Sequence, residues 1–340
     1  MRHILFILFF GLTVTANSQN ITMSQPFTNA QFMSPALVGD GIFQQRIQAS
    51  IRNQMFFGNS VASTIVAGWD GRINKRKEDD GNYNYLGVGL QLMSDQLSGG
   101  LIQTNYLTLN LAYHLFFDAY GRQNLALGMG GTYAQSTINQ NKLSLGESLQ
   151  NELGLSSGSG AVPISFVKSA SNVTANTGLA YTSHDEDTYV QFGLNAFFNS
   201  MPTIVQNASS QSAIMRNSMF VNFEKKLGED EYTFVLHGYY SNRFKNGNYN
   251  QQMVAGGSFG LPILYKYEQS RRLYLGCYYR FNEAVVPTIS WMMEKYTMGL
   301  SYDLGMSSQT GAAVKQNIFE ITLSSSFGKR RNEYLRTLFD

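Results

Sequence analysis

The sequence predicts an all-β protein: a transmembrane antiparallel β-barrel of about 14 strands behind an N-terminal signal peptide. Segments of about ten residues alternate polar and apolar side chains, and they recur to the end of the 340-residue chain. Charged residues make up only 14% of the chain and aromatic residues 13%, whereas about a quarter of the residues of a soluble domain are charged. Because no helices lie between these strands to cover them, lipid is the expected neighbour of the apolar faces.

Residues 1–18 have the pattern of a secretory signal peptide. A basic start at Arg2 precedes an apolar run from Ile4 to Val14, and the small residues Ala16 and Ser18 precede the expected cleavage position. The run is shorter than the roughly 20 apolar residues that a spanning helix needs. The residue directly after the cleavage position is Gln19 and not a cysteine, which excludes a lipoprotein signal.

The first strand shows the alternation most clearly. Successive side chains of a strand point to opposite faces. One face carries the polar residues Arg46, Gln48, Ser50, Arg52 and Gln54, and the other carries Ile47, Ala49, Ile51 and Met55, with Asn53 as an exception.

The same reading along the chain predicts fourteen strands, an even number that leaves both barrel termini in the periplasm. We expect residues 19–44 to form a periplasmic or plug segment, residues 45–328 the barrel and residues 329–340 a periplasmic tail. The predicted strands are 45–56, 60–72, 82–94, 101–117, 122–135, 173–182, 187–198, 214–227, 231–242, 252–265, 271–282, 284–293, 295–305 and 315–328.

Charged residues within the strands are expected to face the lumen, because a charge on the lipid side costs up to about 2–4 kcal/mol at the midplane. Such charges either pair and fill the lumen or line a permeation pathway. The candidates are Arg46, Arg52, Arg216, Glu224 and Glu320.

Two segments outside the strands are candidates for binding. The long external loop 136–172 contains an apolar stretch in which Val162, Ile164 and Phe166 either contact a partner or fold back as a plug. The segment that precedes the first strand either enters the lumen or lies along the periplasmic mouth.

The sequence contains no pattern that predicts an enzyme, a metal site or a cofactor. His237 and Ser241 are about 13 Å apart along a strand at roughly 3.3 Å per residue, too far for a nucleophile and its base. Acidic groups near Asp185 and Glu229 are expected to be solvated turn charges. The net charge of +2 favours no particular partner, and no segment resembles a basic nucleic-acid patch, so we expect no nucleic-acid partner.

Three motifs together resemble the PorP/SprF family of type IX secretion-associated membrane proteins. Residues 24–39, with Ser34-Pro35-Ala36, resemble the family's "SQ-[FY]…NPA-[LF]-x-G" opening. Ile51-Arg52-Asn53-Gln54 resembles "YRNQW", and the segments beginning at Ser301 and Phe319 resemble "SYD-x-N…EISLSY-x-F". Ser34, Met55 and Gly305 depart from the family's usual Asn, Trp and Asn.

The resemblance, which runs from Ser24 to Phe327, implies an outer-membrane barrel that works with type IX secretion and gliding. It implies that the barrel receives or anchors a secreted surface adhesin through the adhesin's C-terminal domain. It also implies a periplasmic peptidoglycan-binding lipoprotein and the secretion ring as partners. An outer-membrane channel for small or hydrophobic solutes, with an N-terminal plug, is the alternative function.

Overall fold

The structure is a computed structural model. It describes residues 23–56, 59–73, 84–118, 120–139, 169–200, 213–228, 232–245, 248–264, 271–306, 317–330 and 337–339. The predicted signal peptide, residues 1–18, lies outside the described residues.

Fourteen antiparallel strands form one closed barrel, as the sequence predicts. Each strand pairs with its neighbours in the chain, and β14 pairs with β1 to close the wall. The strands are β1 (Phe43–Phe56), β2 (Asn59–Ile73), β3 (Tyr85–Leu97), β4 (Ile102–Phe116), β5 (Gln123–Ile138), β6 (Ser169–His184), β7 (Thr188–Ser200), β8 (Ala213–Leu227), β9 (Tyr232–Lys245), β10 (Asn248–Leu264), β11 (Arg271–Arg280), β12 (Ala284–Met292), β13 (Tyr296–Gly305) and β14 (Asn317–Arg330).

Several strands are longer than the apolar alternation indicates. β6 begins at Ser169 and β10 at Asn248, each four residues before its predicted start. The added residues are mostly polar. Backbone pairing therefore continues past the part of the wall that faces lipid, where alternation no longer marks the strand.

The outer face of the barrel is an apolar band. Leu109 and Met129, for example, are 60% and 64% exposed. We call the end at which β1 begins and β14 ends the terminal end, and the opposite end the far end. Exposed aromatic residues concentrate towards both ends, which is typical of girdles at the two membrane interfaces. Those towards the terminal end include Trp69, Tyr113, Phe192, Phe234, Trp291 and Tyr296, and those towards the far end include Tyr133, Phe198, Tyr279, Tyr302 and Phe319.

Residues Met23–Ile42, which we call the plug, lie inside the lumen. The plug contains the short helix α1 (Ala30–Met33) between two single turns of 3₁₀-helix, Pro26–Thr28 and Pro35–Leu37. The Asn29 side chain caps α1 by accepting a hydrogen bond from the Phe32 N–H at 3.2 Å. Most plug side chains are buried. Of the two expected placements of this segment, the structure has the one inside the lumen.

No helix in the described part of the chain combines the length and the hydropathy needed to cross a membrane.

The last described residues, Thr337–Phe339, also lie inside the barrel and are buried. This placement differs from the expected tail beyond the barrel at 329–340. Leu338 and Phe339 are apolar, and aromatic side chains of the plug and the wall surround Phe339. Burial of these two side chains removes apolar surface from water.

Candidate functional site

The candidate site is the lumen where the plug meets the barrel wall. Three lumen-facing glycines allow the plug to lie directly against the wall. A Cβ atom would lie 2.0 Å from the Val38 carbonyl oxygen at Gly87, 2.2 Å from the Ala36 nitrogen at Gly128 and 2.3 Å from the Ser34 Oγ at Gly178. No side chain fits at such distances. The Ser34-Pro35-Ala36 motif therefore depends on Gly128 of β5 and Gly178 of β6, and the Val38 backbone that follows the motif depends on Gly87 of β3.

A buried ion pair connects the wall to both terminal segments. Arg46 Nη2 lies 3.1 Å from Asp70 Oδ2, and the two side chains are 4% and 2% exposed. Arg46 also donates to the carbonyl oxygens of Leu37 in the plug and Phe339 in the tail, and Asp70 accepts from the Gly39 N–H at 2.8 Å. Removal of one partner of such a pair leaves an uncompensated buried charge.

Glu320 holds the beginning of the plug. Its fully buried carboxylate accepts hydrogen bonds from the backbone N–H groups of Ser24 at 2.7 Å and Gln25 at 3.2 Å. Charge-assisted hydrogen bonds of this kind are stronger than neutral ones. The start of the plug is therefore attached to β14.

Arg52 lies opposite Glu320 across the β1–β14 seam. On its other side it pairs with Thr64, whose hydroxyl donates to Asp95 at 2.6 Å. Nearby, Arg280 forms an ion pair with Asp303. Two basic and three acidic side chains thus lie close together in this part of the lumen, and all five are buried.

Glu224 contacts the tail. Its carboxylate is fully buried and accepts from the Tyr274 hydroxyl at 2.7 Å and the Leu338 N–H at 2.8 Å. Arg216, on the same strand, is less buried, and its guanidinium carbon lies 4.0 Å from the centre of the Phe197 ring. Four of the five charged candidates are thus buried in the lumen wall, and Arg216 stacks on an aromatic ring.

Neutral polar side chains of the wall form hydrogen bonds with backbone groups of the plug. Asn195 donates to the Met33 carbonyl at 3.0 Å, and His114 Nε2 lies 2.9 Å from the Val38 carbonyl oxygen. In the opposite direction, the Gln31 side chain of the plug donates hydrogen bonds to the backbone carbonyls of Trp69 and Leu90 in the wall. Satisfied backbone groups make burial of an irregular segment energetically acceptable.

Asp40 is a second attachment point at the end of the plug. Its carboxylate accepts from the side chains of Asn124, Thr182 and Gln191, at 2.8–3.3 Å. Sequence reasoning missed these residues and Asp70. Polar residues at inward strand positions are candidates for such contacts. Alternation alone, however, does not distinguish an inward residue that faces water from one that contacts the plug.

His237 packs in an aromatic environment instead of beside a nucleophile. Its Nδ1 lies 2.6 Å from Asn222 Oδ1, and its ring centre lies 4.7 Å from that of Phe27. Among the described residues, no three His, Cys, Asp or Glu side chains come together as metal ligands. The loop candidates Val162, Ile164 and Phe166 lie outside the described residues. The arrangement in the lumen holds peptide segments in place.

Comparison with known proteins gives one family match. The family model described as type IX secretion system membrane protein PorP/SprF matches residues 15–325. A search of curated proteins found no match.

A comparison with solved structures gives matches at low sequence identity and with TM-scores below 0.5. The CymD monoaromatic hydrocarbon channel has a TM-score of 0.48 and 11% identity, over 92% of this chain and 94% of that one. The translocator domain of the autotransporter NalP from Neisseria meningitidis has a TM-score of 0.40 and 10% identity, over 84% and 88%. The β domain of the Bordetella autotransporter BrkA has a TM-score of 0.39 and 10% identity, over 84% and 99%.

Proposed function

This chain belongs to the PorP/SprF family of type IX secretion system membrane proteins, and from that premise we propose that it anchors a secreted surface adhesin. The adhesin's C-terminal domain is the part that the barrel binds. The role is one of binding, without catalytic turnover.

The protein is an outer-membrane barrel, and the proposal includes its orientation. The terminal end faces the periplasm, as is usual for single-chain bacterial barrels with an even number of strands. The far end, with the loop that carries Val162, Ile164 and Phe166, then faces the cell exterior. This orientation makes the far end available to a secreted adhesin.

The observation that carries the proposal is the attachment of the plug inside the lumen. Glu320 binds its first residues, and the Arg46–Asp70 pair binds its end. The buried charges therefore serve to retain peptide segments, which supports the pairing-and-filling alternative over a permeation pathway. A barrel whose lumen is occupied in this way is suited to binding at its rim.

The terminal end is the proposed contact for the periplasmic partners. A peptidoglycan-binding lipoprotein and the secretion ring would approach the barrel from this side. Both the plug and the tail are attached there through Arg46, so these partners would meet a surface to which both terminal segments contribute.

The test is surface display of the adhesin in cells that lack this gene. We expect the cognate adhesin to disappear from the surface, whereas other type IX cargo is secreted normally. Unchanged display of all surface adhesins in the deletion strain would contradict the proposal.

A loop variant makes the test specific to the binding surface. Replacing Val162, Ile164 and Phe166 with Ser is expected to abolish display while the barrel remains in the outer membrane at its normal level. Replacing Ser156, Ser157 and Ser159 of the same loop with Ala is the matched control and should leave display intact.

The alternative function, a channel for small or hydrophobic solutes, gives a different outcome. Normal adhesin display together with lost solute uptake in the deletion strain would support the channel and contradict the anchor.

A further inference from the structure

The tail occupies a defined pocket at the terminal end of the lumen. Phe27 of the plug and Arg46, Tyr189, Glu224 and His237 of the wall surround it, and we call these five residues the tail pocket. Leu338 and Phe339 are 5% and 6% exposed. The burial of both side chains is as complete as that of core residues.

The pocket recognises backbone groups as well as side chains. Glu224 accepts from the Leu338 N–H at 2.8 Å, and Arg46 donates to the Phe339 carbonyl oxygen at 3.1 Å. Contacts to a backbone donor and a backbone acceptor fix the direction and register of a bound peptide, as they do in peptide-recognition sites generally.

An aromatic side chain is the main anchor. The Phe339 ring stacks on Tyr189, with ring centres 5.6 Å apart, and meets the edge of Phe27 at 5.9 Å. Buried aromatic anchors of this kind contribute most of the affinity at interfaces. These contacts do not depend on the covalent connection between the tail and the barrel.

We propose that the tail pocket is a docking site for a segment of a second protein, in which an apolar residue precedes an aromatic one. Leu338 and Phe339 of the chain itself occupy the site when that protein is absent. The tail supplies the chemistry of the ligand: one apolar side chain, one aromatic side chain and two backbone hydrogen bonds.

Occupancy of the pocket is coupled to the plug by direct contact. Phe27, which packs on the Phe339 ring, is part of the plug, and Arg46 binds both the tail and Leu37. A partner segment in this pocket would therefore touch the plug and one of its attachment points.

The experiment measures binding of a free peptide to purified barrels in detergent. A fluorescent peptide of residues 331–340 is added to a barrel that ends at Arg330 and to the full-length barrel. We expect saturable binding to the shortened barrel and about tenfold weaker apparent binding to the full-length barrel, whose own tail competes. Equal binding of a scrambled peptide, or no binding to the shortened barrel, would overturn the proposal.

Two substitutions test the contacts separately. Phe339→Ala in the peptide and Glu224→Gln in the barrel are each expected to weaken binding about tenfold or more. Asp185→Asn, in an exposed turn, is the matched barrel control and should bind normally. Unchanged affinity for both substitutions would show that the peptide binds elsewhere.

Folding of the shortened barrel is checked by its heat-dependent mobility on gels. If it does not fold, a full-length variant replaces it in the binding experiment. Full-length barrel with Phe339→Ala should bind the peptide more tightly than the unaltered barrel does, and equal affinity would overturn the proposal. If full-length barrels associate with shortened barrels, the segment that docks in the pocket comes from a second copy of this chain and not from a different protein. No adhesin is present, so the result is independent of the proposed function.

Discussion

Several buried charged residues in the lumen each hold a terminal segment of the chain: the plug, the tail or both. Glu320 and Glu224 each accept a backbone N–H from a terminal segment, and Arg46 donates to carbonyls of both segments. Alternation in the sequence gives the inward direction of these side chains. It cannot give their partners, because the plug and the tail have no strand periodicity to reveal that they return into the barrel.

The Arg46–Asp70 pair is expected to dominate the stability of the plugged state. Asp70→Asn leaves the buried Arg46 charge without its counter-ion and removes a charged acceptor from the Gly39 N–H. We expect a loss of about 3–5 kcal/mol in the free energy of unfolding, measured by denaturant titration in micelles.

The exposed pair between Arg122 and Asp185 is the control for that measurement. Its atoms lie 3.4 Å apart, but the side chains are 43% and 55% exposed, so solvent screens the interaction. Asp185→Asn should cost no more than about 1 kcal/mol. Equal losses of unfolding free energy in the two variants would show that burial of the Arg46–Asp70 pair does not increase its contribution to stability.

At the scale of elements, the plug packs closely against the wall because the wall has glycines, which carry no side chain, at the points of contact. The glycines of β3, β5 and β6 lie where the plug backbone approaches. In the sequence, glycine in a strand suggests a close approach of another backbone, but it does not identify which segment approaches. The lumen placement of the plug therefore follows from the structure and not from the pattern.

Gly128→Ala is expected to release the plug, because the new Cβ would lie 2.2 Å from the Ala36 nitrogen. Limited digestion with chymotrypsin should then cut the plug at Phe27 or Phe32, whereas the same digestion should leave the plug of the unaltered protein intact. Gly131→Ala on the same strand meets nothing within 4 Å and should leave the plug protected. Cleavage in neither variant, or in both, would contradict this account of the fit.

The strands make a second, independent prediction about depth in the membrane. Leu109 lies outward near the middle of β4, whereas Asn105 lies outward near its far end. Leu109→Arg should cost about 2–4 kcal/mol of folding free energy in lipid vesicles, and Asn105→Arg about 0–1 kcal/mol. Equal costs at the two positions would place the apolar band elsewhere on the wall.

For the whole molecule, the sequence predicts the closed fourteen-stranded wall well, because the period of two is imposed on every strand by lipid outside and polar groups inside. Strand ends such as Ser169 and Asn248 were less predictable, since backbone pairing continues after the apolar pattern stops. The insertion of Leu338 and Phe339 was not predicted, because two apolar residues in a charged tail form no pattern.

The most direct test of a plugged barrel that binds instead of conducting is electrical conductance in planar bilayers. The full-length protein should show no steady conductance, because residues 23–42 fill its lumen, whereas a barrel without those residues should form open channels. Both proteins must show the heat-dependent gel mobility of a folded barrel. A full-length protein that conducts as well as the shortened one would contradict the account.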